Sequence, residues 1–342
     1  MPGAVSIHDL AVGAVAPVAP DDVVTLVDVD SDPESVESAT AHARRSHRIL
    51  IGIGTPTSEN STLVDALTFT LTESGDDRRT VKVERIGDAV QQLCEALEKN
   101  PIAGATVTGL LRTAEFLGVH NALIAESMAY STLQGGPEYA RWLSASNFRP
   151  KFETNDPVVI DRVDDRLIIE LDRPERHNAL DAGMRDALVE ALSVAQLDDS
   201  VTSVSLLGRG RSFSSGGDLT EFGTSSDPAS AHLIRTQHRP GEQIHELSTR
   251  LGRNFEARVH GAVMGGGLEL AAFAGHIVAD PDSAFLLPEM SMGLLPGAGG
   301  TVSVSRRIGR WRTAWVVVSG MTFGAAQALE WGLVDEVRPV GA

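Results

Sequence analysis

The chain has a single cysteine, Cys94. No internal disulfide can form, and with no CxxC or Cys/His cluster the expected home is a reducing cytoplasm. Lysine is scarce, Lys82, Lys99 and Lys151 being the three in 342 residues, so a bound anion is left to arginine and to backbone N–H groups. Positive charge is short altogether: 29 Lys and Arg stand against 46 Asp and Glu, for a formal net charge of −17. That balance excludes nucleic acid or an anionic membrane as a general partner. No apolar run approaches the roughly 18 residues of a membrane span, and the opening MPGAVSIHDLAVGAVAP lacks the basic start and apolar stretch of a signal peptide. HExxH is missing, so a zinc site is not expected, and no GxSxG surrounds Ser212, Ser214 or Ser215. Gly52 and Gly54 follow a strand-like run, but Thr57 stands where a dinucleotide fingerprint needs a third glycine.

What is present is enough apolar sequence, 42% of the residues, for about two domains at roughly 150 residues each. Residues 1–20 read as a loose Ala/Pro/Val-rich tail. Strand-like runs at 23–29, 48–53, 69–72 and 81–84, with a helix over 35–45, make a small α/β unit. The acids Asp28, Asp30, Asp32 and Glu34 read as a solvated face. From Asp88 to Ser146 the period becomes helical: Val90, Leu93, Cys94 and Leu97 fall at i, i+3, i+4 and i+7 behind Asp88 as a cap. Further stripes follow at Leu110, Leu111 and Ala114, at Leu123, Ser127 and Met128, and at Tyr139, Trp142 and Leu143. The polar, proline-bearing stretch 148–157 divides an N-terminal region, 21–150, from a second region, 151–342. There, strands at 158–160, 167–171, 203–207 and 257–260 alternate with helices at 181–197 and 231–252, as in α/β folds.

Four segments of the second region carry chemistry: LDRPERHNAL (171–180), RSFSSGGDL (211–219), HGAVMGGGLELA (260–271) and LPEMSMGLLPGAGGT (287–301). The second and third each offer backbone N–H groups with no side chain in the way. Two such donors aimed at one oxygen stabilise developing negative charge, and each is worth about 10²–10³ in rate. The glycine triplet adds the positive end of a helix dipole. Glu269 and Glu289 lie near these turns and could form an acid/base pair.

Together these segments resemble the enoyl-CoA hydratase/isomerase, or crotonase, superfamily over about residues 158–340. FxxGxDL, the GGG-x-E step and PExxxGxxPGAGGT occur in the family's order and spacing. The resemblance implies an α/β fold with a crotonase-like ββα spiral core, here preceded by an N-terminal α/β and helical extension. It implies that Gly217 and Gly266 supply an oxyanion hole for the thioester carbonyl of an acyl-CoA. Glu269 would be the base toward water attacking Cβ of a trans-2-enoyl thioester, Glu289 would deliver a proton to Cα, and Gly297 would help to hold the water. Arg173, Arg176, His177, Ala179, Gly216, Asp218 and Leu219 would bind the CoA portion, which enters as part of the substrate with no separate cofactor or metal.

A homo-oligomer, trimer or hexamer, is implied as well. Isomerisation of an enoyl-CoA, or an inactive acyl-CoA-binding homologue, are the alternatives. The sequence departs from the family's pattern in having Thr220 and Glu221 where a lysine is usual, and Gly275 then His276 where an aspartate is usual. Family members normally continue past the equivalent of Val340 with several helices that cover the acyl pocket. The 101–146 stretch, most clearly ESMAYSTLQGGPEYARWL, is similar to those helices, so the N-terminal half is expected to perform their covering role.

Overall fold

The computed structural model describes residues 3–19, 22–75, 77–146, 156–225 and 227–340. Five parallel strands, β1 (Val5–Ser6), β2 (Val24–Asp28), β3 (Ile49–Ile53), β4 (Phe69–Thr72) and β5 (Thr80–Lys82), lie side by side in chain order. Successive residues of a strand point to opposite faces. Ile49 and Ile51 accordingly enter the main core, while Leu50 enters a smaller one under α1 (Ile7–Ala11), α2 (Val36–Arg45) and α3 (Ser61–Ala66). Both faces are covered, which is why these strands read as unbroken apolar runs.

Residues 5–11, expected within a loose tail, form a strand and a helix. Val5 and Ser6 pair with Val27 and Asp28, and Ile7 and Leu10 of α1 are fully buried. A capping box starts the helix: Asp9 N–H donates to Ser6 Oγ at 3.0 Å, and Ser6 N–H to Asp9 Oδ2 at 3.1 Å. One turn of helix is too short for periodicity to reveal.

Four helices follow, α4 (Ile86–Lys99), α5 (Pro101–Ala114), α6 (Val119–Gln134) and α7 (Pro137–Ala145). The stripe Val90, Leu93 and Leu97 is buried with Cys94 half-buried, but Arg85 precedes α4 and Asp88 sits inside its first turn. There its charge favours the helix N-terminus without capping it. Met128, expected in a stripe, is exposed. Most of the expected boundary stretch, residues 148–155 of 148–157, lies outside the described residues.

The second region builds a six-stranded sheet in the order β14 (Glu336–Val337), β11 (His276–Ala279), β9 (Phe255–Val259), β8 (Ser203–Gly208), β7 (Arg166–Leu171) and β6 (Val158–Val163). Only β6 runs antiparallel, as a hairpin with β7. A smaller sheet joins β10 (Ala262–Met264), β12 (Ala284–Leu286) and β13 (Phe323–Gly324). The helices are α8 (Ala182–Leu197), α9 (Pro228–Gln237), α10 (Pro240–Leu251), α11 (Gly266–Ala271), α12 (Gly300–Ser319) and α13 (Ala325–Trp331). Asp181 caps α8 by accepting from Met184 N–H at 2.7 Å. The single helix expected over 231–252 is two, because Pro240 cannot donate and holds Arg239 out of the helical region.

The two regions share one apolar core that runs from Val23 to Val334. Arginines of α12 stitch its surface. Arg310 donates to the Leu67 carbonyl at 3.0 Å, to the Asp65 carbonyl and to Glu115 at 3.0 Å, and Arg312 donates to the Asp77 carbonyl at 3.2 Å. Gly309, at φ 85°, breaks α12 beside the Arg78 side chain, which itself donates to the Arg306 carbonyl at 2.9 Å. Among the described residues no helix is long and apolar enough to cross a membrane.

If the opening residues are part of the smaller core under α1, Leu10→Ala should cost about 2–5 kcal/mol. Denaturant unfolding checks this, and a midpoint equal to wild type would contradict the placement.

Candidate active site

Two loops of the second region meet back to back. Ser214 pairs with the start of β10, accepting from Met264 N–H at 3.0 Å, and Leu180 brackets Gly217 by donating to the Gly216 carbonyl at 2.8 Å and accepting from Asp218 N–H at 2.9 Å. The contact is so close that a Cβ on Gly216, itself at φ +87°, would lie 2.8 Å from the Met264 carbonyl. The bracket leaves the Gly217 N–H outside the ladder, and Gly266 opens α11, where the first N–H has no intrahelical acceptor. The Gly217 nitrogen lies 3.9 Å from where a Cβ would stand on Gly266. The expected pair of donors is thus brought together at one end of a cavity of about 610 Å³.

Glu269 and Glu289 line the same cavity, both buried, in different surroundings. Glu269, on α11, accepts from Ala298 N–H and Gly300 N–H through Oε2, each at 2.7 Å, at the start of α12. Burial pushes its carboxyl up to about 7, against the pull of the Gly300, Ala298 and Gly297 N–H groups. Glu289 sits in a 3₁₀ turn, Glu289–Met292, with its Oε1 2.6 Å from a Cβ position on Gly265. Its Oε2 is buried with no hydrogen-bond partner. Burial, then the charges of Glu269 and Glu126, hold the Glu289 carboxyl well above the usual range. One carboxyl is therefore supported as an anion, and the other is pressed to keep its proton.

Sequence reasoning missed the residues that the first region brings to this site. Glu126 of α6 is 2% exposed and accepts from Gly299 N–H at 2.8 Å, Thr301 N–H at 3.0 Å and Thr301 Oγ1 at 2.6 Å. Four consecutive N–H groups, 298–301, thus alternate between Glu269 and Glu126. Tyr130, one turn further along α6, packs against Gly297, where a Cβ would lie 2.5 Å from its ring, and Arg235 of α9 stacks 4.6 Å from that ring's centre. α7 lies over the Glu289 turn, with a Cβ on Gly293 falling 2.6 Å from the Glu138 Cβ, and Asn100 donates to the Met290 carbonyl at 2.8 Å. Residues of the 101–146 stretch therefore pack onto the pocket. A signal for Glu126 was present: it is an acid on the buried stripe between Leu123 and Tyr130.

The residues expected at the CoA end divide. Arg173 is 4% exposed, and its guanidinium reaches Asp181 at 2.8 Å, Asp218 at 3.2 Å and the Ala179 carbonyl at 2.6 Å, so it braces the 173–181 loop. Asp218 is likewise buried; burial opposes its ionisation, but hydrogen bonds from Thr220 and Arg176 hold its carboxyl below the usual range. Arg176 is partly exposed and grips both Asp218 oxygens, at 2.8 and 2.9 Å. His177 is left-handed at φ 51°, with its ring 3.0 Å from Ser212 Oγ, and Leu219 starts a 3₁₀ turn. Asn178, fully buried, pins the loop by donating to the carbonyls of Arg209, Ser212 and Phe213.

Thr220 and Glu221 are tied to Asp218 and to the Ala182 N–H. The Gly275 departure has a steric cause, since a Cβ there would lie 1.9 Å from the Gly252 carbonyl, while His276 sits buried near Asp335 and Glu336.

The profile of the enoyl-CoA hydratase/isomerase family matches residues 166–342, just over half of the chain. The chain belongs to this family, within the crotonase superfamily, and is most like enoyl-CoA hydratase. It is 32% identical over 182 residues to 2,3-dehydroadipyl-CoA hydratase of Escherichia coli (strain K12), covering 53% of this chain and 69% of that protein. It is 34% identical over 159 residues to a probable enoyl-CoA hydratase of Bacillus subtilis (strain 168), covering 46% of this chain and 60% of that one. A solved structure of Pseudomonas aeruginosa DspI superposes with a TM-score of 0.50 at 26% identity, over 56% of this chain and 71% of the other. The chain thus spans about 60–70% of the lengths of these curated relatives.

Because Arg173 is the cation between two carboxylates, Arg173→Met should destabilise the fold by about 3–5 kcal/mol, leaving Asp218 buried against a weakened partner set. Urea unfolding checks this. A loss below about 1 kcal/mol would contradict the bracing role.

Proposed function

We propose that the chain is an enoyl-CoA hydratase, adding water syn across a trans-2-enoyl-CoA to give a 3-hydroxyacyl-CoA. The observation that carries this reading is the contrast between two buried carboxyls on one cavity, Glu269 held by backbone donors and Glu289 with an unpartnered oxygen. The thioester carbonyl would accept from the Gly217 and Gly266 N–H groups. Water would attack Cβ and give a proton to Glu269, the electron pair would move through Cα to the carbonyl oxygen, and the Glu289 proton would go to Cα. Negative charge peaks on the oxygen that faces the two donors, so they act mainly in the transition state. Gly297, whose N–H is turned to the Glu269 carboxyl, would help place the water.

CoA enters as part of the substrate, with its phosphates left to partly exposed arginines such as Arg176 and to backbone donors. The α6 and α7 cover of the pocket supports reading the first region as a substitute for the family's C-terminal helices. A homo-oligomer in a reducing cytoplasm, working in fatty-acid metabolism, completes the reading.

Loss of the enoyl-thioester absorbance of crotonyl-CoA tests it. Wild type should consume the signal, and Glu269→Gln and Glu289→Gln should each lower kcat by about 10²–10⁴. The kcat/KM should fall as pH drops below about 7, because Glu269 must be ionised to take the proton from water. No turnover of any enoyl-CoA by wild type would refute the hydratase reading, and undiminished rates in both variants would refute the residue roles.

A further inference from the structure

The Glu126 carboxyl is supplied by α6, outside the part of the chain that matches the family profile, yet it lines the catalytic cavity. It accepts three hydrogen bonds at the start of α12, and two of its donors, Gly299 and Thr301, interleave with the two N–H groups that hold Glu269. A shift of Glu126 would therefore move the backbone that grips Glu269. The groups facing it are Glu269 on α11, Glu289 in its 3₁₀ turn and Arg235 on α9, and Tyr130 of α6 itself lines the same cavity. Its own neighbour Ser127 is engaged with His232 at 2.9 Å and with Arg235 at 3.2 Å.

We propose that Glu126 is a positioning residue for the acid–base pair: it fixes the 298–301 turn that holds Glu269, and it shares with Glu289 the buried cavity in which that acid works. This rests on the hydratase reading and adds to it a residue contributed by the N-terminal region. Burial and the Glu269 charge raise Glu126 to about 8, so its negative charge develops on the alkaline side, where it is one of the charges that raise Glu289.

The test is Glu126→Gln, which keeps the side-chain volume and removes the charge, assayed on whichever enoyl-CoA wild type hydrates. The expected result is a fall in kcat of about tenfold or more, with KM within about twofold of wild type. The alkaline limb of the pH profile should move to lower pH by about half a unit or more, because Glu289 loses a neighbouring negative charge. A kcat within twofold with the limb unmoved overturns the proposal. So does a fall in kcat with the limb unmoved, which is what a purely structural role would give.

Should Glu126→Gln not fold, Thr301→Val removes one donor to Glu126 and should move the limb in the same direction by less; an unmoved limb counts against the proposal. If wild type hydrates no enoyl-CoA, the hydratase reading fails separately, and ¹³C NMR titration of the glutamate carboxyls decides for Glu126. Glu289 titrating at lower pH in Glu126→Gln supports the proposal, and an unchanged titration overturns it.

Discussion

A helix that begins inside a protein carries N–H groups with no acceptor in its own first turn, and burial makes leaving them unpaired expensive. α12 begins in this way at the bottom of the cavity, and its 298–301 N–H groups are met by two carboxylates, Glu269 from the second region and Glu126 from the first. Much else follows from that solution. It requires two acids to be buried side by side, with a third, Glu289, close enough to feel both. It also requires α6 to lie across the pocket, which brings Tyr130 against Gly297 and closes one wall of the cavity.

Crowding three carboxyls would be wasteful in a purely structural core, since each pays desolvation and repels the others. In an acid/base site the same crowding separates roles. Backbone donors and the helix dipole favour the anion at Glu269, while an oxygen without a donor favours the protonated form at Glu289. The net charge of −17 acts against an anionic substrate, so local donors must overcome the overall field: loop arginines, the glycine N–H pair and helix ends.

Much of the second region was legible in sequence because its chemistry sits in contiguous motifs with fixed spacing. Gly217, Gly266, Glu269 and Glu289 were readable for that reason, and the structure places all four on one cavity. The bracing partners of Arg173 were not legible, because a motif match says where a residue stands but not which way its guanidinium points; Asp181 and Asp218 pair with it. The opening turn at Ile7–Ala11 was invisible because five residues cannot show a period. Glu126 was missed for a different reason. Its acceptor role depends on Gly299 and Thr301, more than 170 residues away in sequence, and nothing local announces such a pairing. The stripe read over α6, Leu123, Ser127 and Met128, passed over the position, which the structure places on the buried face with Leu123 and Tyr130.

The central claim is that the two glycine N–H groups and the two glutamates converge on one acyl thioester. A crystal structure with a non-reacting acyl-CoA analogue tests it most directly. The account predicts the thioester oxygen roughly 2.7–3.1 Å from both the Gly217 and Gly266 nitrogens, with Cα beside Glu289 and Cβ beside Glu269. An analogue bound with its carbonyl turned away from these donors, or seated outside the cavity under α6, would contradict it.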